Sequence, residues 1–336
     1  MTRPVSTSSN ISKGFFPFSL VSFHNNFFLR CHPFSNEVFQ EPFYDWGAYK
    51  WLKEQKEPHG LLLNLIDQQH GIINLPANKP SCVIFHVSRC GSTIVSNFFA
   101  IQAKFRVVRE PQTINDLLLE KSEDVDKRLV FDSLIRLFGQ QNTSNTSSLI
   151  LKTTSWNIFE VEFFREQLPD VPFIFVFRDP LEVMSSLLKQ SNGMLLRKKN
   201  APENYVRYLK TSTSQLAGMD DEEYTALILK AKLEKLHEIK ERVRSSDLGF
   251  NEQNTFFIPY ETLLKTSENL FAEKFSFNDK DISKMRELSK FKSKELTPVE
   301  FKNDGKLKRD SLSAKSLKFL NKYQVQQSWE LLKGVQ

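Results

Sequence analysis

The sequence predicts an α/β chain: a central parallel sheet with helices on both faces, in three layers. Two observations carry this. Apolar runs of strand length stand at 82–87, 105–109, 149–152, 173–177 and 255–259, and segments with helical apolar spacing separate most of them. The first run also breaks into a short polar loop with one glycine and re-enters at Thr93 with apolar residues at helical spacing. Strand, tight loop and helix start together make a cradle for an anion, because orphan backbone N–H groups and the helix dipole point into it.

Taken in order, residues 1–12 are rich in Ser, Thr and Asn and are expected to be disordered. Residues 13–75 form an aromatic-dense N-terminal extension with a helix over 44–55, expected to pack against the main domain at 76–336. That domain runs strand 82–87, helix 93–102, strand 105–109, then helices within 113–139. A polar loop follows at 140–148, where the sequon-like Asn142 and Asn145 carry little weight in a cytosolic chain. Next come strand 149–152, helix 157–168 and strand 173–177. Asp179 caps the following helix, Pro180 suits its first position, and Glu182 completes a capping-box pattern. Residues 191–218 read as an irregular insertion, 221–245 as a long charged helix, 255–259 as the last strand, and the remainder as helices.

Composition narrows the class. A length of 336 residues suits one large α/β domain with an appendage, and 40% hydrophobic with 26% charged residues supports a sizeable core. With 30 Phe against 11 Gly, that core is expected to be aromatic. A net charge of +6 fits an anionic ligand but is too mild to demand nucleic acid. Cys31, Cys82 and Cys90 form no Cys-x-x-Cys pair, which points to a reducing, cytoplasmic compartment. No apolar run approaches the roughly 18 residues of a membrane span; the nearest, 15–29, is interrupted by Pro17, His24, Asn25 and Asn26. His24, His32, His59 and His70 lack metal-ligand spacing, so no metal is expected.

The loop Ser88-Arg89-Cys90-Gly91-Ser92-Thr93 lacks the Gly-Lys-Ser/Thr ending of the common NTPase loop and carries an arginine instead. In the second motif, Arg178 ends a strand and Ser186 lies nearly two turns into the next helix. An arginine and a hydroxyl so placed can bind one phosphate from two sides.

At these two motifs the chain resembles the PAPS-dependent sulfotransferases, in the Arg-loop form of the Golgi, tyrosylprotein and bacterial branches. The likeness covers residues 80–190 and, more loosely, 250–310. It implies a P-loop-like three-layer α/β/α fold and transfer of a sulfuryl group from PAPS, leaving PAP, to an acceptor hydroxyl on a carbohydrate, peptide tyrosine or small metabolite. By the resemblance, the loop Ser88 to Thr93 holds the 5′-phosphosulfate, while Arg178 and Ser186 hold the 3′-phosphate. The basic run Lys302, Lys306, Lys308 and Arg309 resembles the segment that closes over that phosphate. Lys152, ending its strand, matches the family's cation at the sulfuryl group.

The catalytic base has two candidates. Glu110 stands at the position of the tyrosylprotein branch's glutamate. His86, at the end of the loop strand, is the rival, although a histidine there is commonly packed and bonded to backbone. The cytosolic enzymes use a histidine just after their lysine; here Lys152 is followed by Thr153, Thr154, Ser155 and Trp156, which leaves Glu110 ahead. Catalysis is therefore expected from Glu110, Arg89 and Lys152 without a metal. A nucleotide kinase of related fold, or a non-catalytic nucleotide-binding protein, are the alternative readings.

Overall fold

The computed structural model describes residues 14–334 except 24–25, 57–58, 66–68, 122–125, 142–146, 190–194, 196, 248, 295–298 and 301–303. The expected N-terminal disorder, Asn142, Asn145 and Lys302 lie outside the described residues. Two compact units emerge. One takes the described residues up to Ile84 with Val95–Thr154; the other takes Phe85–Ile94 with the residues from Ser155 onward.

In the first unit, β1 (Phe16–Phe23), β2 (Asn26–His32) and β3 (Leu61–Asn64) form a three-stranded antiparallel sheet in sequence order. The apolar run at 15–29 is thus the better part of a hairpin. Helix α1 (Tyr44–Glu54) follows, and its buried Tyr44 donates its hydroxyl to Pro17 O at 2.6 Å. The extension is bound further through Arg109, whose Nη1 donates to Phe39 O at 2.6 Å. Arg106 lies over the Phe16 ring at 4.8 Å and donates to Phe138 O at 2.8 Å. Residues of the 13–75 segment therefore pack with Arg106, Arg109 and Phe138 within the first unit. Short α2 (Gln69–Ile73) leads to β4 (Pro80–His86), which begins in this unit.

β5 (Phe105–Arg109) and β6 (Ser148–Lys152) pair in parallel, as do β4 and β6. Between them run α3 (Ser92–Phe99), α4 (Gln112–Leu119) and α5 (Lys127–Phe138). In the second unit, α6 (Val161–Gln167) precedes β7 (Phe173–Phe177), which is parallel to β8 (Thr255–Pro259). The five strands form one sheet in the order β5-β6-β4-β7-β8, the parallel α/β architecture that the sequence predicts. Its aromatic content is plain in the second unit: Phe85 stacks on Phe175 with centroids 5.2 Å apart, and Phe175 on Phe257 at 5.4 Å.

Helix α7 (Pro180–Leu188) follows β7. The 191–218 insertion is not irregular throughout: it contains α8 (Glu203–Tyr208) and α9 (Thr213–Gly218), the latter with a Ser212–Gln215 capping box. Helix α10 (Asp221–Ser245) has the span expected of it. After β8 come α11 (Leu263–Phe275), α12 (Asp279–Ser289), α13 (Gly305–Asp310), α14 (Ala314–Lys322) and α15 (Val325–Lys333). Among the described residues no helix is long and apolar enough to cross a membrane.

Candidate active site

The loop after β4 is wound tightly. Ser88, Arg89 and Gly91 all adopt left-handed backbone, with φ of 79°, 50° and 86°. For Ser88 and Arg89 this costs on the order of 1–3 kcal/mol each, strain that is held only where surroundings over-determine it. Those surroundings are visible. His86 Nδ1 accepts from the Ser88 N–H at 3.1 Å, and Val87 N–H donates to Val176 O at 3.3 Å. The Cys90 thiol donates to the same Val176 carbonyl at 3.1 Å, so Cys90 is buried and its side chain faces β7. A Cβ on Gly91 would come within 2.7 Å of Leu263 Cδ1 and 2.9 Å of Tyr260 Cδ2, and with a φ of 86° the position favours glycine. Left-handed residues close together in a loop are the backbone from which anion nests are built; here the Ser88 N–H is already taken by His86.

Arg89 reaches across the second unit and donates through Nε to Ser186 Oγ at 2.8 Å. Burial, and then the nearby charge of Arg178, hold its guanidinium below the usual arginine range. Arg178, at the end of β7, is buried and stacks on the Tyr260 ring 3.8 Å from its centroid. Its Nε donates to Glu182 Oε2 at 2.7 Å. Its Nη2 lies 2.5 Å from the same oxygen and 3.9 Å from Asp304 Oδ1, yet in neither case with hydrogen-bond geometry.

The basic segment near the C-terminus meets this group. Arg309 pairs with Glu182 Oε1 and lies 3.7 Å from Asp179 Oδ2, while Lys308 pairs with Asp304 at 2.7 Å. Ser185 and Ser311 hydroxyls lie 3.0 Å apart. Gly305 permits the approach, since a Cβ there would sit 2.6 Å from Glu182 Oε1. Helix α13 thus rests on the first turns of α7, and Arg89, Arg178, Lys308 and Arg309 share one region with Asp179, Glu182 and Asp304: four cations against three carboxylates.

Glu182 departs from its expected role. Asp179 does cap α7, accepting from Leu181 N–H at 2.8 Å, but no capping box forms. The Glu182 carboxylate goes to the two arginines instead, because ionised donators of that strength outcompete a backbone N–H. Its position four residues after Arg178 was the available signal, for i,i+4 residues meet on a helix face. Tyr260 and Asp304 had no comparable sequence mark.

The first unit holds the other predicted pair. Lys152 is 0% exposed and forms an ion pair with Glu110. The parallel register sets Arg109 opposite Lys152, so the next residue, Glu110, emerges beside the lysine. Glu110 takes left-handed backbone (φ 53°), and its N–H donates to Lys152 O at 2.6 Å. The Phe43 ring lies 5.9 Å from Lys152 Nζ. His86 serves the loop backbone through Nδ1, the packed role set against its candidacy as base. Among the described residues no cluster of His, Cys, Asp and Glu could hold a metal ion.

No protein-family model matches the sequence, and no curated protein matches it. Solved structures do resemble it, several sulfotransferases among them. The chain is similar to sulfotransferase STF9 from Mycobacterium avium, at 13% identity and a TM-score of 0.44 over 77% of this chain and 79% of that one. It is similar to the sulfotransferase domain of the Synechococcus PCC 7002 olefin synthase, at 13% identity and 0.42 over 74% and 96%. Retinol dehydratase, solved with androsterone and the inactive cofactor PAP, matches at 15% identity and 0.36 over 82% and 88%. Likeness at these values describes shape alone, and function has to be argued from the side chains.

Proposed function

We propose that the protein is a PAPS-dependent sulfotransferase acting on a hydroxyl of a carbohydrate, peptide tyrosine or small metabolite. The observation that carries this reading is the strained Ser88–Gly91 loop whose Arg89 is bonded to Ser186 beside Arg178. Two motifs 97 residues apart in sequence converge there on a shared set of cations. The residues fit a bisphosphorylated nucleotide: the loop is wound as anion-binding loops are, and the Arg89 and Arg178 guanidinium groups stand beside the Ser186 hydroxyl.

In this reading Ser88, Arg89 and the backbone of Cys90, Gly91, Ser92 and Thr93 hold the 5′-phosphosulfate. Arg178, Ser186, Lys308 and Arg309 hold the 3′-phosphate. PAPS supplies a sulfuryl group whose sulfur bonds to the acceptor oxygen as its bond to the 5′-phosphate oxygen breaks, the electron pair leaving on PAP. Glu110 takes the acceptor's proton on a carboxylate oxygen. In the same proposal Arg89 offers its positive charge to the leaving phosphate oxygen, and Lys152 is assigned the role of the family's cation at the sulfuryl group. Preorganised cations and a positioned base are the contributions such a reaction needs from a protein.

The test is turnover: release of PAP from PAPS with panels of phenols, sugars and tyrosine peptides, in buffer containing EDTA. Acceptor-dependent PAP release is expected. Absence of turnover together with magnesium-dependent binding of ATP would return the kinase alternative.

A further inference from the structure

The N-terminal segment reaches the Lys152–Glu110 pair at two points. Phe43 lies over the lysine, and two residues later Asp45, in the first turn of α1, accepts the Gln112 N–H at 3.1 Å. Gln112 is the first residue of α4, whose own cap position is Pro111, with no side chain to offer. Asp45 therefore caps α4 from another element, and the turn it secures, Glu110-Pro111-Gln112, is the one that carries Glu110 in left-handed backbone. The charged groups about Asp45 are Glu110 at the end of β5, itself paired with Lys152 of β6, and Asp116 in α4; Glu41, before α1, is taken by Lys50 at 3.0 Å.

We infer that Asp45 is a positioning residue for Glu110, holding the turn from which it works and placing a second carboxylate in its neighbourhood. This rests on the reading of Glu110 as the base. The charge of one carboxylate bears on the other, as Glu110 bears on Asp45. Burial raises the Asp45 carboxyl to about 7, against the pull of the Gln112 bond and with help from Asp116 and Glu110. An ionised Asp45 thus makes Glu110 the stronger acceptor, and a protonated one makes it weaker.

The experiment compares wild type, Asp45→Asn and Asp45→Ala. Asparagine still accepts the Gln112 N–H and loses only the charge; alanine loses both. The carboxyl carbon of Glu110, assigned by its disappearance in Glu110→Gln, is followed by NMR against pH. In wild type it should show an inflection near 7 transmitted from Asp45. In Asp45→Asn that inflection should vanish and the Glu110 midpoint should fall. Turnover of Asp45→Asn above pH 7 should drop roughly fivefold in kcat, with its acid limb moved to lower pH and KM for PAPS unchanged. If Asp45→Asn titrates and turns over like wild type while Asp45→Ala alone is impaired, Asp45 is a cap and nothing more, and the inference is overturned. A coupled titration in a protein whose Glu110→Gln variant keeps full turnover would uphold the coupling and refute Glu110 as base.

Discussion

Arg89 of the first motif donates to Ser186 of the second at 2.8 Å, so the cation meant for one end of the nucleotide is oriented by the hydroxyl meant for the other. Removing that hydroxyl should therefore damage both ends together. Ser186→Ala is expected to weaken PAP binding by about 1.5–3 kcal/mol, the range for hydrogen bonds to charged groups, or ~10- to 100-fold by calorimetry. Arg89→Lys should not substitute, since an ammonium lacks the guanidinium's fork of donors. Wild-type affinity in Ser186→Ala would separate the two motifs.

Glu182 bridges Arg178 and Arg309 with a carboxylate, and an arriving phosphate must compete with it. Glu182→Gln keeps the shape and removes the rival charge. PAP affinity should rise several-fold, with some loss of thermal stability as the buried Arg178 loses its counter-charge. A fall in affinity would mean that Glu182 is needed to aim the arginines rather than to restrain them.

Glu110→Gln should reduce kcat by roughly 10²-fold or more while PAP affinity stays near wild type, the mark of an interaction used in the transition state. The ion pair adds a consequence for stability. Lys152 is fully buried, so stripping its counter-charge should cost about 3–5 kcal/mol, visible as a lowered Tm. Activity must therefore be read well below that Tm. His86→Asn should act through loop geometry and stability; if it abolishes turnover in a folded, PAP-binding protein while Glu110→Gln stays active, the roles are reversed.

Asp45 also makes stability depend on pH in a definite direction. Its folded carboxyl titrates at about 7, above the ordinary aspartate value of roughly 3.9. Between those values the folded protein binds the extra proton, so this group's contribution falls as pH rises from about 4 to about 7 and is flat beyond. Asp45→Asn lacks that slope. The Tm of the variant relative to wild type should be higher at pH 8 than at pH 5, and an equal difference at both would contradict it.

Much of the scaffold was legible. Strands at 105–109, 173–177 and 255–259 and the helix at 221–245 appear at those residues because unbroken apolar runs and caps delimit them. The 191–218 region was misread because α8 and α9 have six residues each, too few for apolar periodicity, although the Ser212–Gln215 box was present as a cap signal. The places of Arg89 in a loop, Arg178 at a strand end and Ser186 in a helix could be read from local pattern, whereas the Arg89–Ser186 hydrogen bond could not. The Lys152–Glu110 ion pair could not, since it arises from parallel strand register between residues 42 apart. Asp45 had no mark at all: its role comes from a helix in the extension whose packing no local pattern encodes.

The central claim is that Arg178 and Ser186 bind a 3′-phosphate, and calorimetry with PAP and AMP in EDTA tests it most directly. PAP should bind at least ~100-fold more tightly than AMP, about 2.7 kcal/mol and within reach of charge-assisted hydrogen bonds, and Arg178→Ala should erase most of the difference. Equal affinity for PAP and AMP in the wild-type protein, or tighter binding of ATP with magnesium than of PAP, would contradict it.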